Sequence, residues 1–282
     1  VGPDAYAAVR PGETALLPEP TSKKYREVFF ASNKMIRIND ILEKTAGYLS
    51  EDDRGLIQKA YVFSAAAHAG QERLSGEPYL SHPLEVANEL SEMRLDGATI
   101  AAGLLHDTVE DTKTTIEEID ARFGEEVADI VNGVTKISRM LMTFDSREAR
   151  QAENIRKMIM AMSEYIRVLM VKLIDRLHNM RTLESQKPVK QRLIAQETMD
   201  LYAPLANRLG LHRVKVELED LSLKFLRPDM YRQIARGVRK HQAAGREYIK
   251  KVILLIEEKL ETNKIKGRVS GRTKHFYSTY HK

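Results

Sequence analysis

The chain has 282 residues, is 43% hydrophobic and 30% charged, and carries a net charge of +5. That composition is globular, with enough length for one large domain or two small ones. The longest apolar runs, such as VILLI at 252–256, fall far short of the roughly 20 residues that span a bilayer. With no cysteine in the chain, disulfides and thiolate-bound metals are excluded, which fits a reducing, cytoplasmic setting.

The charge is unevenly spread. Residues 1–183 hold 23 basic against 29 acidic side chains, a net −6, and residues 184–282 hold 22 against 11, a net +11. Two tasks, or two solvated helical surfaces, would both produce this pattern.

Residues 1–34 contain four of the nine prolines (Pro3, Pro11, Pro18, Pro20) and no helical period. They are expected to form a disordered leader, with Met35 a candidate natural start. DDRGLIQKAYVFSAAAHAG (52–70) is apolar at helical spacing and stops at Gly70. A helix is expected near 82–93 after Ser81, and another over 96–108. In TIEE (115–118), Thr115 is the expected N-cap with Glu118 reaching back in a capping box, and Gly124 ends that helix. Further helices are expected over 125–138, over 151–163 beyond a polar loop near 141–147, and over 164–184, 189–210 and two or three pieces of 213–263. Strand-like alternation occurs only near 266–270. The architecture these elements build is an all-α bundle.

Two polar clusters end apolar helices. In AAGLLHDTVEDT (101–112), read as one helix, His106 and Glu110 are four apart, as are Asp107 and Asp111, so all four share one broad face. In DRLHNMRT (175–182), Asp175 precedes His178 by three and Asn179 by four. A third piece, RLSGEPYLSHP (73–83), is a Gly/Pro loop ending in His82. Carboxylates at the end of a buried run need water or a cation, since each left unpaired costs several kcal/mol. A histidine beside acids is as readily a hydrogen-bonded pair as a ligand, and the separations between the pieces are long. Spacing therefore leaves a metal site and a polar packing cluster both open.

These pieces carry a family resemblance. His82, the adjacent His106-Asp107 and Asp175 resemble the H…HD…D set of HD-domain metal phosphohydrolases. HAGQERLSGEPYLSHP, GLLHDTVEDT, VNGVTKIS, QAENIRKM, VKLIDRLHNMRTL and YAPLANRLG are similar, in order, to the N-terminal hydrolase domain of RelA/SpoT-type bifunctional (p)ppGpp synthetase/hydrolases. GRTKHFYSTYHK (271–282) resembles the opening of that family's synthetase domain, in Arg272, Lys274, Tyr277 and Ser278.

The resemblance implies an HD helical bundle over 35–183, a helical linker over 184–265 completing it, and the truncated start of an α/β synthetase domain over 266–282. It implies hydrolysis of the 3′-pyrophosphate of (p)ppGpp to GDP or GTP in the bacterial stringent response. His82, His106, Asp107 and Asp175 would ligate one Mn²⁺, and Glu110 and Asp111 would orient the attacking water and shuttle protons. Arg73, Ser75, Tyr79, Asn179 and Thr182 would hold the nucleotide. Lys136, Lys172 and Arg176 are candidate phosphate contacts, or solvated charges flanking a helix. The implied partners are (p)ppGpp, the synthetase domain and, through regions outside this chain, the ribosome; no membrane is implied.

Four residues depart from the family pattern, one of them His281, near a position where members often carry arginine. Leu74 stands where some members carry lysine, Thr108 where valine is common, and Gly97 where a larger apolar residue is usual, with an expected penalty of about 0.5–1 kcal/mol. Retention of the four candidate ligands and both acids argues against a catalytically silent regulatory domain. Two further alternatives are an HD phosphohydrolase acting on dNTPs or cyclic dinucleotides, and an RNA- or ribosome-contacting module built on the basic run 231–246.

Overall fold

The segment GATIAAGLL is buried along its whole length, and the elements that carry the site surround it. The computed structural model describes residues 36–141, 166–271 and 275–281. The expected leader, most of the loop near 141–147, the helix over 151–163, and Arg272 and Lys274 lie outside the described residues.

In chain order the helices are α1 (Ile38–Thr45), α2 (Glu51–Ala67), α3 (Ser81–Glu92), α4 (Gly97–Leu105), the single turn α5 (Thr108–Asp111), α6 (Ile116–Phe123), α7 (Glu125–Leu141) and α8 (Ile166–Arg181). After them come α9 (Pro188–Glu197), α10 (Ala203–Arg208), α11 (His212–Leu226), α12 (Pro228–Thr262) and α13 (Phe276–Tyr280). The described residues form no strand, only an isolated bridge between Glu72 and Pro78. The alternation at 266–270 is irregular backbone, so that expectation is corrected.

Local chemistry sets most boundaries. Ser50 caps α2 by accepting from Asp53 N–H, and Asp96 caps α4 by accepting from Thr99 N–H. Thr115 caps α6 through Glu118 N–H. The Glu118 carboxylate does not close the expected box; it pairs with Arg122 one turn on, at 3.1 Å. Gly70 and Gly124 take φ values of 77° and 88°, which glycine adopts without strain, and there α2 and α6 give way to loop and to α7.

The helix expected over 189–210 is interrupted. Pro204 has no N–H to give to the carbonyl four residues back, and its ring would strike that carbonyl. The chain widens into a π-turn over Thr198–Tyr202, in which Ala203 N–H reaches Thr198 O.

Helix α4 packs against α2, α3, α7 and α8. Its first residue explains one departure from the family pattern. A Cβ on Gly97 would lie 2.7 Å from Asp53 Cβ and 2.6 Å from Asp53 Oδ1. Glycine here permits close approach of α2 to α4, and the expectation of a simple propensity penalty is corrected. We predict that Gly97→Leu lowers stability by about 1–3 kcal/mol through overpacking. Urea denaturation of the two proteins checks this, and a stabilised variant would contradict it.

At the other end of the chain, Asp220 on α11 caps α13. Its carboxylate accepts from Tyr277 N–H at 2.8 Å, Phe276 N–H at 3.3 Å and His275 Nδ1 at 3.1 Å.

Candidate metal centre

Four elements bring the site together: the loop after α2, the start of α3, the α4–α5 junction and the middle of α8. The junction differs from the single helix expected over 96–108. α4 stops at Leu105 because Thr108, fully buried, donates its hydroxyl to Leu105 O at 2.6 Å. A valine at 108 would leave that carbonyl without this partner. The break turns His106 and Asp107 inward while Glu110 and Asp111 remain exposed on α5.

His82, His106 and Asp175 each offer one donor atom within 4.8 Å of the others, and all three are buried. Asp107 sits against the same atoms, with Oδ1 3.1 Å from His106 Nε2 and Oδ2 3.5 Å from His82 Nε2.

The hydrogen positions at His106 are dictated by its neighbours. Nδ1 lies 2.8 Å from the Gly103 carbonyl, which can only accept, so Nδ1 carries the hydrogen. In the neutral tautomer that leaves no hydrogen on Nε2. This nitrogen is buried without a hydrogen-bond partner, 3.1 Å from Asp107 Oδ1 and 3.9 Å from Asp175 Oδ1. In that tautomer a lone pair faces two carboxylates and repels them, whereas a cation among the three, a proton on Nε2 or a metal ion, makes every contact attractive. This donor set, two imidazole nitrogens and two carboxylates, fits a divalent transition metal.

Burial works against the charge on Asp175. Lys172, whose Nζ lies 2.7 Å from Oδ2, then the hydrogen bond from His82 and the His106 ring, hold the carboxyl well below its ordinary range. Burial opposes the Lys172 ammonium in turn, and Asp175 and Tyr202 hold it charged above the ordinary lysine range. Asp107 is also held below its ordinary value, burial being outweighed by His106 and His82. Burial lowers His82 and, with His82, Arg73 and Arg181 nearby, pushes His178 down to about 2.

The residues expected to hold the nucleotide are wired to this centre unequally. Arg73 Nη2 donates to Asn179 Oδ1 at 2.9 Å, and Asn179 Nδ2 donates to Asp175 Oδ1 at 2.5 Å. Tyr79 OH lies 3.0 Å from Asp107 Oδ2 and is also hydrogen-bonded to Asp111. Burial, followed by Asp107 and Asp111, raises its phenol well above the ordinary range. Among the described residues Ser75 bonds only within its loop, to Glu77 at 3.4 Å, and Thr182, just past α8, bonds the His178 carbonyl of that helix at 3.2 Å.

Of the candidate phosphate contacts, Lys172 faces Asp175 and Lys136 is exposed. Arg176 is committed elsewhere: it donates to Tyr202 OH at 3.0 Å, pairs with Glu197 at 3.0 Å, and lies over the Tyr202 ring at 4.1 Å.

Sequence reasoning missed three supporting residues. His68 bonds Gln71 at 2.9 Å and stacks on Tyr79 with centroids 4.3 Å apart, so it is packed, bonded and supports the site. Gln71 reaches the Asp111 carbonyl at 3.3 Å. His178 Nδ1 lies 2.7 Å from His82 Nδ1. The signal for His178 was present in its spacing of three from Asp175.

Tyr79→Phe keeps the stack on His68 and removes the hydroxyl from between the two carboxylates. Its expected effect is a 10–100-fold loss in turnover with the fold intact. Steady-state kinetics with a thermal melt check it.

Residues 60–212 match the HD domain family. A GTP pyrophosphokinase of Myxococcus xanthus is 52% identical over 236 residues, 83% of this chain and 31% of its own length. The bifunctional (p)ppGpp synthase/hydrolase SpoT of Escherichia coli K12 is 48% identical over 83% of this chain and 33% of its own length. The GTP pyrophosphokinase rsh of Brucella ovis is 44% identical over 88% and 33%. The chain thus spans about a third of the length of these relatives. Among the described residues, no helix is long and apolar enough to cross a membrane.

Proposed function

Because the chain belongs to the HD-domain family, as a RelA/SpoT-type member, we propose that it removes the 3′-pyrophosphate from guanosine tetra- or pentaphosphate. Water would attack the phosphorus nearest the ribose, and the 3′-oxygen would leave as the hydroxyl of GDP or GTP with release of pyrophosphate. The reading is supported by the buried cluster of His82, His106 and Asp175, with His106 Nε2 lacking a hydrogen-bond partner and facing two carboxylates, a donor set that a divalent cation would satisfy. The relatives named above are two GTP pyrophosphokinases and a bifunctional (p)ppGpp synthase/hydrolase; the HD match covers all four proposed ligands.

In this reading His82, His106, Asp107 and Asp175 hold one divalent metal, with Mn²⁺ the ion the family resemblance implies. Such a metal supplies Lewis acidity and a bound water of lowered pKa. The chain's own groups do the rest. Asp111, held by Tyr79 OH, and Glu110, one residue before it on α5, would orient a water and accept its proton. Lys172, 2.7 Å from Asp175, places a fixed positive charge beside the centre. Arg73 and Asn179 connect the nucleotide loop directly to Asp175, so substrate bound to Arg73 would be felt at the metal.

The same ligands would serve a dNTP triphosphohydrolase. Turnover of ppGpp and of dGTP by the full chain with Mn²⁺ separates the two. Pyrophosphate release from ppGpp with dGTP untouched is the expected result, and preferential cleavage of dGTP would reassign the substrate.

A further inference from the structure

His82 and His106 reach the centre in similar ways but are held behind by different partners. His106 Nδ1 faces a backbone carbonyl, which fixes its hydrogen permanently. His82 Nδ1 faces another imidazole, His178 Nδ1, at 2.7 Å, with both rings buried and their centroids 4.7 Å apart. At that distance one hydrogen lies between the two nitrogens, and either ring can own it. The choice determines what His82 presents to the centre, because its Nε2 is 3.3 Å from Asp175 Oδ1 and 3.5 Å from Asp107 Oδ2.

We propose that His178 is a positioning residue that sets the tautomer of His82 and thereby opens or closes one ligand position of the metal centre. The proposal rests on the metal-site reading above. When His178 accepts, His82 carries its hydrogen on Nδ1 and offers a bare Nε2 to a metal. When His178 donates, His82 carries its hydrogen on Nε2, gives it to Asp175, and cannot ligate.

Metal uptake then takes the hydrogen off His82 Nε2, moves the shared hydrogen from His178 Nδ1 to His82 Nδ1, and places one hydrogen on His178 Nε2. Each ring keeps one hydrogen, so the pair enters the metal-bound state with no net proton released. An imidazole partner can make this exchange, whereas a carboxylate or carbonyl partner can only accept.

Two measurements on the full chain test this. The first is NMR of the ¹⁵N-histidine-labelled protein loaded with diamagnetic Zn²⁺, observing nitrogen–nitrogen coupling through the shared hydrogen bond. The expected result is coupling between His82 Nδ1 and His178 Nδ1, with the hydrogen on His82 in the Zn²⁺ form and on His178 after EDTA. A hydrogen that stays on His178 with Zn²⁺ bound overturns the proposal, as does the absence of coupling.

The second is calorimetric Mn²⁺ binding by His178→Leu and His178→Asn. Leucine has no acceptor and is expected to weaken binding about 10–100-fold. Asparagine, whose amide oxygen can accept from His82, is expected to stay within a few-fold of wild type. Wild-type affinity in His178→Leu overturns the proposal, and so does equal loss in both variants when their metal-free melts match wild type. A wild-type chain that takes up neither metal removes the metal-site reading itself, and this inference with it, an outcome distinct from failure of the variants alone.

Discussion

Asp175→Ala is expected to eliminate divalent-metal binding and to lower pyrophosphate release from ppGpp by about three orders of magnitude or more, since a metal supplies several kcal/mol of transition-state stabilisation. Asp175 is where the site's contacts converge. Its Oδ1 lies 3.3 Å from His82 Nε2 and 3.9 Å from His106 Nε2 and accepts from Asn179 at 2.5 Å, while Oδ2 faces Lys172 at 2.7 Å. Alanine would also take from the Lys172 ammonium, with its side chain 14% exposed, its nearest counter-charge, and breaking such a pair destabilises a fold by about 3–5 kcal/mol. Asp175→Asn separates the two effects. It keeps an oxygen for Asn179 and much of the packing while removing the charge. Mn²⁺ titration and EDTA melts of both variants should show metal binding lost in each and the larger melting decrease in the alanine. Retention of Mn²⁺ binding by both would exclude Asp175 as a ligand.

Arg181→Leu should have the largest purely structural effect. Arg181 ends α8, six residues after Asp175. Its guanidinium grips Glu217 of α11 with two bonds, at 2.5 and 2.8 Å, and Glu89 of α3 at 2.7 Å. Burial opposes the charge, but Glu217 and Glu89 hold it ionised. Glu89 is 8% exposed and keeps Arg213 as a second partner, which moderates the loss. We expect about 3 kcal/mol, or a melting decrease on the order of 6–12 °C for a domain of this size. Lys44→Ala, which breaks a pair with Glu92 whose side chains are 41% and 38% exposed, should cost less than about 1 kcal/mol. Calorimetric melts of the two variants check the contrast, and equal effects would show that the Arg181 network contributes no more than a surface pair.

The helix start at Thr115 and the stops at Gly70 and Gly124 were legible because each depends on one or two neighbouring residues. What the sequence hid depends on atoms distant along the chain or on hydrogens. The close approach at Gly97 needs Asp53, 44 positions earlier. The break at Leu105 rests on one hydroxyl, Thr108, at a position where valine would preserve the helical pattern. Pro204 stands in the sequence, but its presence alone does not say whether the chain will kink, stop or widen into the π-turn over Thr198–Tyr202. At the candidate site, the resemblance named residues that do converge: His82, His106, Asp107, Asp175, Tyr79, Arg73 and Asn179. It did not indicate that Tyr79 would join Asp107 to Asp111, or that a second histidine would stand behind His82, because both depend on contacts between segments 28 to 96 residues apart.

The most direct test is pyrophosphate release from ppGpp by the full chain with Mn²⁺, beside Asp107→Ala and an EDTA control. Asp107 touches both imidazoles, at 3.1 and 3.5 Å, so its removal reports on the centre itself. Metal-dependent release that disappears in Asp107→Ala and in EDTA is the predicted result. A folded wild type that binds Mn²⁺ and releases no pyrophosphate, or release that persists in EDTA, would contradict a metal-dependent hydrolase at this site.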